Sequence, residues 1–203
     1  MDAKKKTLIA SERDEAARAA WRETTAGLDP ARLVFLDEAG CFRNLTRTYA
    51  RAPRGQRAVG RVPRNRGRGV TVIASLSLAG IGPTLTLDGG TGHADFARYL
   101  DEVLLPTLAP GTTIILDNLS AHRPLAVRER IAAAGCQVRY LPGYSPDYNP
   151  IELAFGVLKE GMRRRAVRER ADLPEVMVEE LATITPAMAA NWFHHCGYTG
   201  QAQ

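Results

Sequence analysis

The sequence predicts a mixed α/β domain: a five-stranded sheet, three antiparallel strands first and then two parallel ones, flanked by helices. Three observations carry that expectation. Two short apolar runs, Leu33-Val34-Phe35-Leu36 and Ile114-Ile115-Leu116, each end abruptly in an aspartate, Asp37 and Asp117, as buried central strands do when they deliver an acid at their carboxyl ends. Residues 70–78 and 83–87 read as a hairpin around Ala79-Gly80-Ile81-Gly82. Residues 112–117, 123–134 and 137–141 alternate strand, helix, strand, an order that places the last two strands parallel through a right-handed crossover.

The remaining elements follow in order. Ser11 can cap a helix whose first turn is acidic and which continues to Thr25 before Gly27 and Pro30 end it. Its apolar stripe is thin, Ala16, Ala17, Ala20 and Trp21, which makes it a linker helix at the domain edge with Trp21 as its anchor. Residues 43–49 alternate like a second strand. Residues 93–105 read as a helix with Phe96, Leu100, Val103 and Leu104 on one face, stopped by Pro106 and Pro110. Residues 142–150, with three prolines and a glycine, cannot form a helix or a ladder and must be an irregular connection. A helix then starts at Pro150 and runs through Ile151, Phe155, Leu158 and Met162 into Arg163-Arg164-Arg165; two more, at 173–184 and 186–194, close the chain.

The bulk numbers bound the class. A chain of 203 residues, 45% of them hydrophobic, fits one domain with a real core. No segment approaches 18 uninterrupted apolar residues, and Met1-Asp2-Ala3-Lys4-Lys5-Lys6 leads into a charged stretch, so a soluble cytoplasmic protein is expected. Cys41, Cys136 and Cys196 are three, widely separated and without a Cys-x-x-Cys pair, and read as free thiols. His194-His195-Cys196 lacks a fourth zinc ligand and reads as structural.

Charge points to a polyanion. The net charge is +5 with a pI near 9.4. Between Glu38 and Asp88 there is no acid, while nine arginines fall there: Arg43, Arg47, Arg51, Arg54, Arg57, Arg61, Arg64, Arg66 and Arg68. A solvated surface mixes signs; this segment reads as a phosphate-binding flank, since the arginine fork grips phosphate oxygens bidentately.

The chemistry is expected from three acids. Asp37 and Asp117 end strands, and Glu152 stands in the first turn of the helix from Pro150, 35 positions after Asp117. Ligands of open α/β sheets bind beyond the carboxyl ends of the strands. Clustered carboxylates stay ionised only around positive charge, and the hard divalent cation Mg²⁺, which keeps one or two carboxylates plus substrate phosphate, suits them. Three acids fit two such ions sharing a phosphate, an arrangement that activates an attacking oxygen and stabilises the leaving one.

Leu36-Asp37-Glu38, Leu116-Asp117-Asn118 with His122, and Tyr144-Ser145-Pro146-Asp147-Tyr148-Asn149-Pro150-Ile151-Glu152 resemble the three catalytic blocks of mariner-superfamily transposases, in their bacterial insertion-sequence branch. The similarity runs from about Leu33 to Tyr198, and the order of elements is that family's ribonuclease H-like plan. It implies that Asp37, Asp117 and Glu152 are a catalytic, metal-holding Asp-Asp-Glu triad with two Mg²⁺ ions, for which Mn²⁺ can substitute. It implies hydrolysis at transposon ends, attack of the freed 3′-hydroxyl on target DNA, double-stranded DNA as partner, and a homodimer in the active complex. Relatives begin with helix-turn-helix modules, so the expectation is that a separately encoded helix-turn-helix protein or reading frame completes this chain. The division expected is a linker helix region at 1–31, the catalytic domain at 32–198 and a tail at 199–203.

Plainer readings stand beside these. Asn149 followed three residues later by Glu152, with Pro150 at the first helical position, also fits a capping box. Glu38 points away from Asp37 and reads as surface. Asn118 and His122 fit DNA contact or a simple helix start; Lys159, sharing a face with Glu152, fits phosphate contact, as do Arg54 and Arg57 in the arginine segment. Arg163 to Arg165 complement a helix carboxyl end. Two other functions remain open: a non-catalytic DNA-binding remnant, and a ribonuclease H-type or structure-selective nuclease.

Overall fold

The computed structural model describes residues 9–117 and 125–199. Helix α1 (Glu15–Thr25) precedes strand β1 (Leu33–Cys41), which is followed by β2 (Val70–Ser77), β3 (Gly80–Ile81) and β4 (Leu85–Asp88). Then come α2 (His93–Arg98), β5 (Thr113–Leu116), α3 (Leu125–Ala133), β6 (Gln137–Tyr140), α4 (Pro150–Arg165), α5 (Leu173–Ala182) and α6 (Pro186–His195). The sheet runs β3-β2-β1-β5-β6, with β4 also paired to β2. Strand β2 is antiparallel to β1 and β4, whereas β5 is parallel to both β1 and β6.

Helices cover both faces, and the side-chain period of a strand decides which residue meets which layer. Leu33, Phe35, Ala39 and Cys41 of β1 join the core beneath α4, α5 and α6, with Phe155, Leu158, Met162, Met177 and Phe193. Val34 and Leu36 face the other way, onto Phe96, Tyr99, Leu100, Val127 and Ile131. Helix α4 packs on the sheet because Ile151, Ala154, Phe155, Leu158 and Met162 recur at helical spacing and are all buried. Its last residue is followed by Ala166 in the left-handed conformation, φ 50°, with Arg163, Arg164 and Arg165 in the final turn.

Several expectations need correction. Asp14, not Ser11, caps α1: its carboxylate accepts the N–H groups of Ala16 and Ala17 at 2.9 and 3.0 Å. Residues 43–49 form no strand. The carbonyls of Arg43 and Leu45 both accept from the Arg168 guanidinium at 2.9 Å, so they are engaged by a side chain rather than by a ladder. The turn expected at Gly80-Ile81 is itself a two-residue strand, which makes the sheet six-stranded. The helix from His93 widens after Arg98 into a π-helical stretch, Tyr99–Leu104, where the buried Tyr99 hydroxyl donates to the carbonyl of Pro83 at 2.7 Å.

Residues 42–69 therefore leave the sheet as one irregular arm between β1 and β2. Its root is pinched: a Cβ on Gly69 would stand 2.7 Å from the Phe42 ring, and the Arg66 guanidinium lies 4.6 Å from the centre of the same ring. All three cysteines are free thiols, buried. No helix among the described residues is long and apolar enough to cross a membrane.

Candidate active site

Parallel pairing of β1 with β5, in the register Leu36 with Leu116, carries Asp37 and Asp117 forward side by side from neighbouring strands. Asp37 occupies the same row as Leu33, Phe35 and Ala39, the row that faces α4, and for that reason it is 9% exposed. Glu38 takes the opposite face. From the α4 side, the irregular connection after β6 brings in Asn149 and Glu152. Together Asp37, Asp117, Glu152 and Asn149 line a cleft of about 440 Å³ whose remaining wall is Leu141 to Pro146.

Asp37 is held at both oxygens. Its Oδ1 accepts the N–H of Glu38 at 2.8 Å, and its Oδ2 accepts Asn149 Nδ2 at 2.9 Å. Burial pushes this carboxyl up to about 7; the Glu38 N–H opposes that, and repulsion from Glu152, Asp117 and Glu38 adds to it. Asn149 sits at the N-cap of α4 but caps nothing with its side chain, so the capping box does not form; the amide is turned to Asp37 instead. Asn149 is itself buried, and its Oδ1 has no hydrogen-bond partner among the described residues.

The donors fit a hard divalent cation. Every candidate ligand is an oxygen, three of them from carboxyl groups, and a carboxyl raised by burial and like charge marks a place short of positive charge. Among the described residues, no three His, Cys, Asp or Glu side chains are gathered closely enough to enclose an ion. Glu152 is exposed on the first turn of α4.

Other expected residues lie elsewhere. Lys159, two turns along α4, is half-buried near Cys41 rather than in the lining of the cleft. Arg54 and Arg57 are exposed on the arm and pair with no acid among the described residues. Asn118 and His122 lie outside the described residues. Sequence reasoning missed Asn149 as a support for Asp37, and it missed Arg18, buried in α1 with its guanidinium on Asp147. The signal for Arg18 was its place three residues before Trp21, on the same helical face. It also passed over Tyr144, exposed at the wall of the cleft with φ 54°.

A mixed sheet with helices on both faces, its acids gathered at the ends of adjacent parallel strands, is the architecture of the ribonuclease H-like nucleases and transposases. The chain belongs to the DDE superfamily endonuclease family, whose sequence profile matches residues 32–174. No curated protein matches it. Among solved structures it resembles the Mos1 transposase paired-end complex with left transposon end, TM-score 0.75 and 18% identity, covering 96% of this chain and 63% of that one. It also resembles the pre-cleavage Mos1 transpososome, TM-score 0.70 and 17% identity, with 96% and 63% covered. The Mos1 transposase catalytic domain with Raltegravir and Mg gives a TM-score of 0.68 at 16% identity, with 92% of this chain and 91% of that chain covered. At these identities the likeness establishes the fold. The chain spans about 63% of the Mos1 chains in the two DNA-end assemblies.

Proposed function

We propose that this chain is the catalytic domain of a DNA transposase that cuts strands at transposon ends with Mg²⁺ or Mn²⁺ and joins the freed 3′-hydroxyl to target DNA. The observation that carries the reading is one cleft lined by Asp37, Asp117 and Glu152, acids from three distant segments, with Asp37 oriented by Asn149. When bound, divalent cations supply the charge that activates the attacking oxygen and steadies the leaving one in an in-line displacement. Asp37, Asp117 and Glu152 hold them. Asn149 keeps one lone pair of Asp37 occupied and so aims the rest of the carboxylate. Arg54 and Arg57, exposed on an arm rich in arginine, grip backbone phosphates. Lys159 adds a further phosphate contact, and Asn118 and His122 contact DNA. In the first step water displaces the 3′-oxygen of the end nucleotide from phosphorus; in the second that 3′-hydroxyl displaces a bridging oxygen of the target strand. The working form is a homodimer on DNA in the bacterial cytoplasm, with end recognition supplied by a helix-turn-helix partner.

The test is direct. Purified protein is given labelled duplex bearing a transposon end, with Mg²⁺, Mn²⁺ or chelator, beside the Asp117→Ala and Glu152→Ala variants. Cutting that needs the metal and disappears in both variants supports the reading. Cutting that persists without either acid sinks it, and salt-sensitive binding without any cutting favours the non-catalytic remnant.

A further inference from the structure

Helix α1 buries two side chains, Arg18 and Trp21; Arg18 ends on the loop that supports the acidic cleft, and Trp21 reaches that loop through Tyr198. Arg18 donates from both Nη atoms to the two oxygens of Asp147, at 2.9 and 2.6 Å, and its guanidinium lies 4.0 Å over the Tyr148 ring. Trp21 Nε1 donates to the Tyr198 hydroxyl at 3.2 Å, and that hydroxyl donates to the carbonyl of Tyr148 at 2.8 Å. Asp147 and Tyr148 belong to the single 3₁₀ turn Pro146–Tyr148, and the next residue is Asn149, the donor to Asp37. Between α1 and the carboxylate stand only that turn and one amide.

We propose that α1 is a positioning element for the active site: Arg18, through Asp147 and Tyr148, fixes Asn149, and Asn149 fixes Asp37. The inference rests on reading Asp37 as a metal-holding residue, and it concerns a segment outside the matched 32–174. Asp147 is half-exposed, which screens the attraction, so the contribution of the pair lies in geometry: a planar fork on a carboxylate fixes orientation as well as distance. A cation over the Tyr148 ring adds a second constraint from the same side chain. Any rotation of α1, and so any load placed on the chain ahead of it, is passed to Asp37.

The full chain, free of DNA, is titrated with Mn²⁺ by calorimetry, and thermal midpoints are recorded alongside. Arg18→Met keeps the stem and removes the fork; it weakens Mn²⁺ binding by roughly 3- to 10-fold, less than the roughly 10- to 100-fold typical of losing a direct support of a ligand, which Asn149→Ala removes. Asp147→Asn keeps shape without charge and moves affinity in the same direction by less. Met177→Ala, in the core under α5, lowers the midpoint without changing Mn²⁺ affinity. If Arg18→Met and Asp147→Asn lose stability yet bind Mn²⁺ like the parent, while Asp37→Ala does not bind, the role of α1 is overturned and the metal reading stands. If Asp37→Ala binds Mn²⁺ as the parent does, the metal reading fails and this inference with it.

Discussion

Asp37→Asn removes a carboxyl that folding buries beside two other acids, and its effect on stability depends on pH in a way the geometry dictates. In the unfolded chain the group titrates near 3.8, and in the folded protein at about 7. The folded state thus favours the protonated form: stability is full below the lower value and is lost as pH rises through the upper one. Between pH 5 and pH 8 the wild type should lose about 2–3 kcal/mol that the Asn variant does not, at about 1.36 kcal/mol for each pH unit crossed between those two values. The variant's amide can keep its oxygen on the N–H of Glu38 and turn its N–H₂ to Asn149, and any mismatch there is the same at every pH and so cancels from the comparison. The four histidines are common to both chains and cancel likewise. Urea unfolding of both proteins at the two pH values, with divalent ions chelated, reads the difference. Parallel pH profiles would refute the argument that burial of Asp37 disfavours its charged form. Added Mn²⁺ at pH 8 should then stabilise the wild type more than the variant, because a ligand of the folded state alone shifts unfolding by mass action.

Other outcomes follow from single contacts. Replacing Arg54 and Arg57 together by alanine should flatten the salt dependence of duplex binding, lowering the log–log slope by about two, read by fluorescence anisotropy across NaCl concentrations, since each phosphate contact contributes about 0.9. An unchanged slope would take those arginines off the DNA. Gly161→Ala would put a Cβ 1.9 Å from Glu180 Oε2 and 2.4 Å from its Cδ, inside the packing of α4 on α5. Glu180 is buried and bridged to Arg164 at 3.0 and 3.1 Å, so overpacking of about 1–3 kcal/mol outweighs the roughly 1 kcal/mol of helix propensity gained. Adding Glu180→Ala should recover part of the loss in chemical denaturation, and a stable single variant would contradict the close approach. Ala166→Gly relieves a left-handed alanine at φ 50° and should gain about 1 kcal/mol, seen as a thermal midpoint about 2–4 °C higher. A lower midpoint would show that the Ala166 methyl contributes packing worth more than the strain.

What the sequence disclosed was whatever depends on near neighbours in the chain. The acid-tipped strands were legible because four apolar residues before Asp37 and three before Asp117 carry their own period, and the start of α4 because Pro150 is confined to a helix's first turn. Contacts decided by distant partners were not legible. Asn149-Pro150-Ile151-Glu152 has the local form of a capping box, yet the Asn149 amide goes to a carboxylate 112 positions away. Residues 43–49 alternate like a strand, but Arg168, more than 100 positions on, takes two of their carbonyls. The place of Arg18 one turn before Trp21 hinted at its burial, but its partner Asp147 stands 129 positions distant and could not be read from the sequence.

The pinched root of the arm separates two tasks. Strands β1 and β2 stay in register to their last pair, Cys41 with Val70, and the Phe42 ring against Gly69 closes the exit immediately beyond. Past that clasp, doubling the number of residues would cost only about 0.6 kcal/mol in closure entropy. Length, charge and reach can accordingly be rewritten in this one segment while β1 and β2 keep their register and the fold is not put at risk.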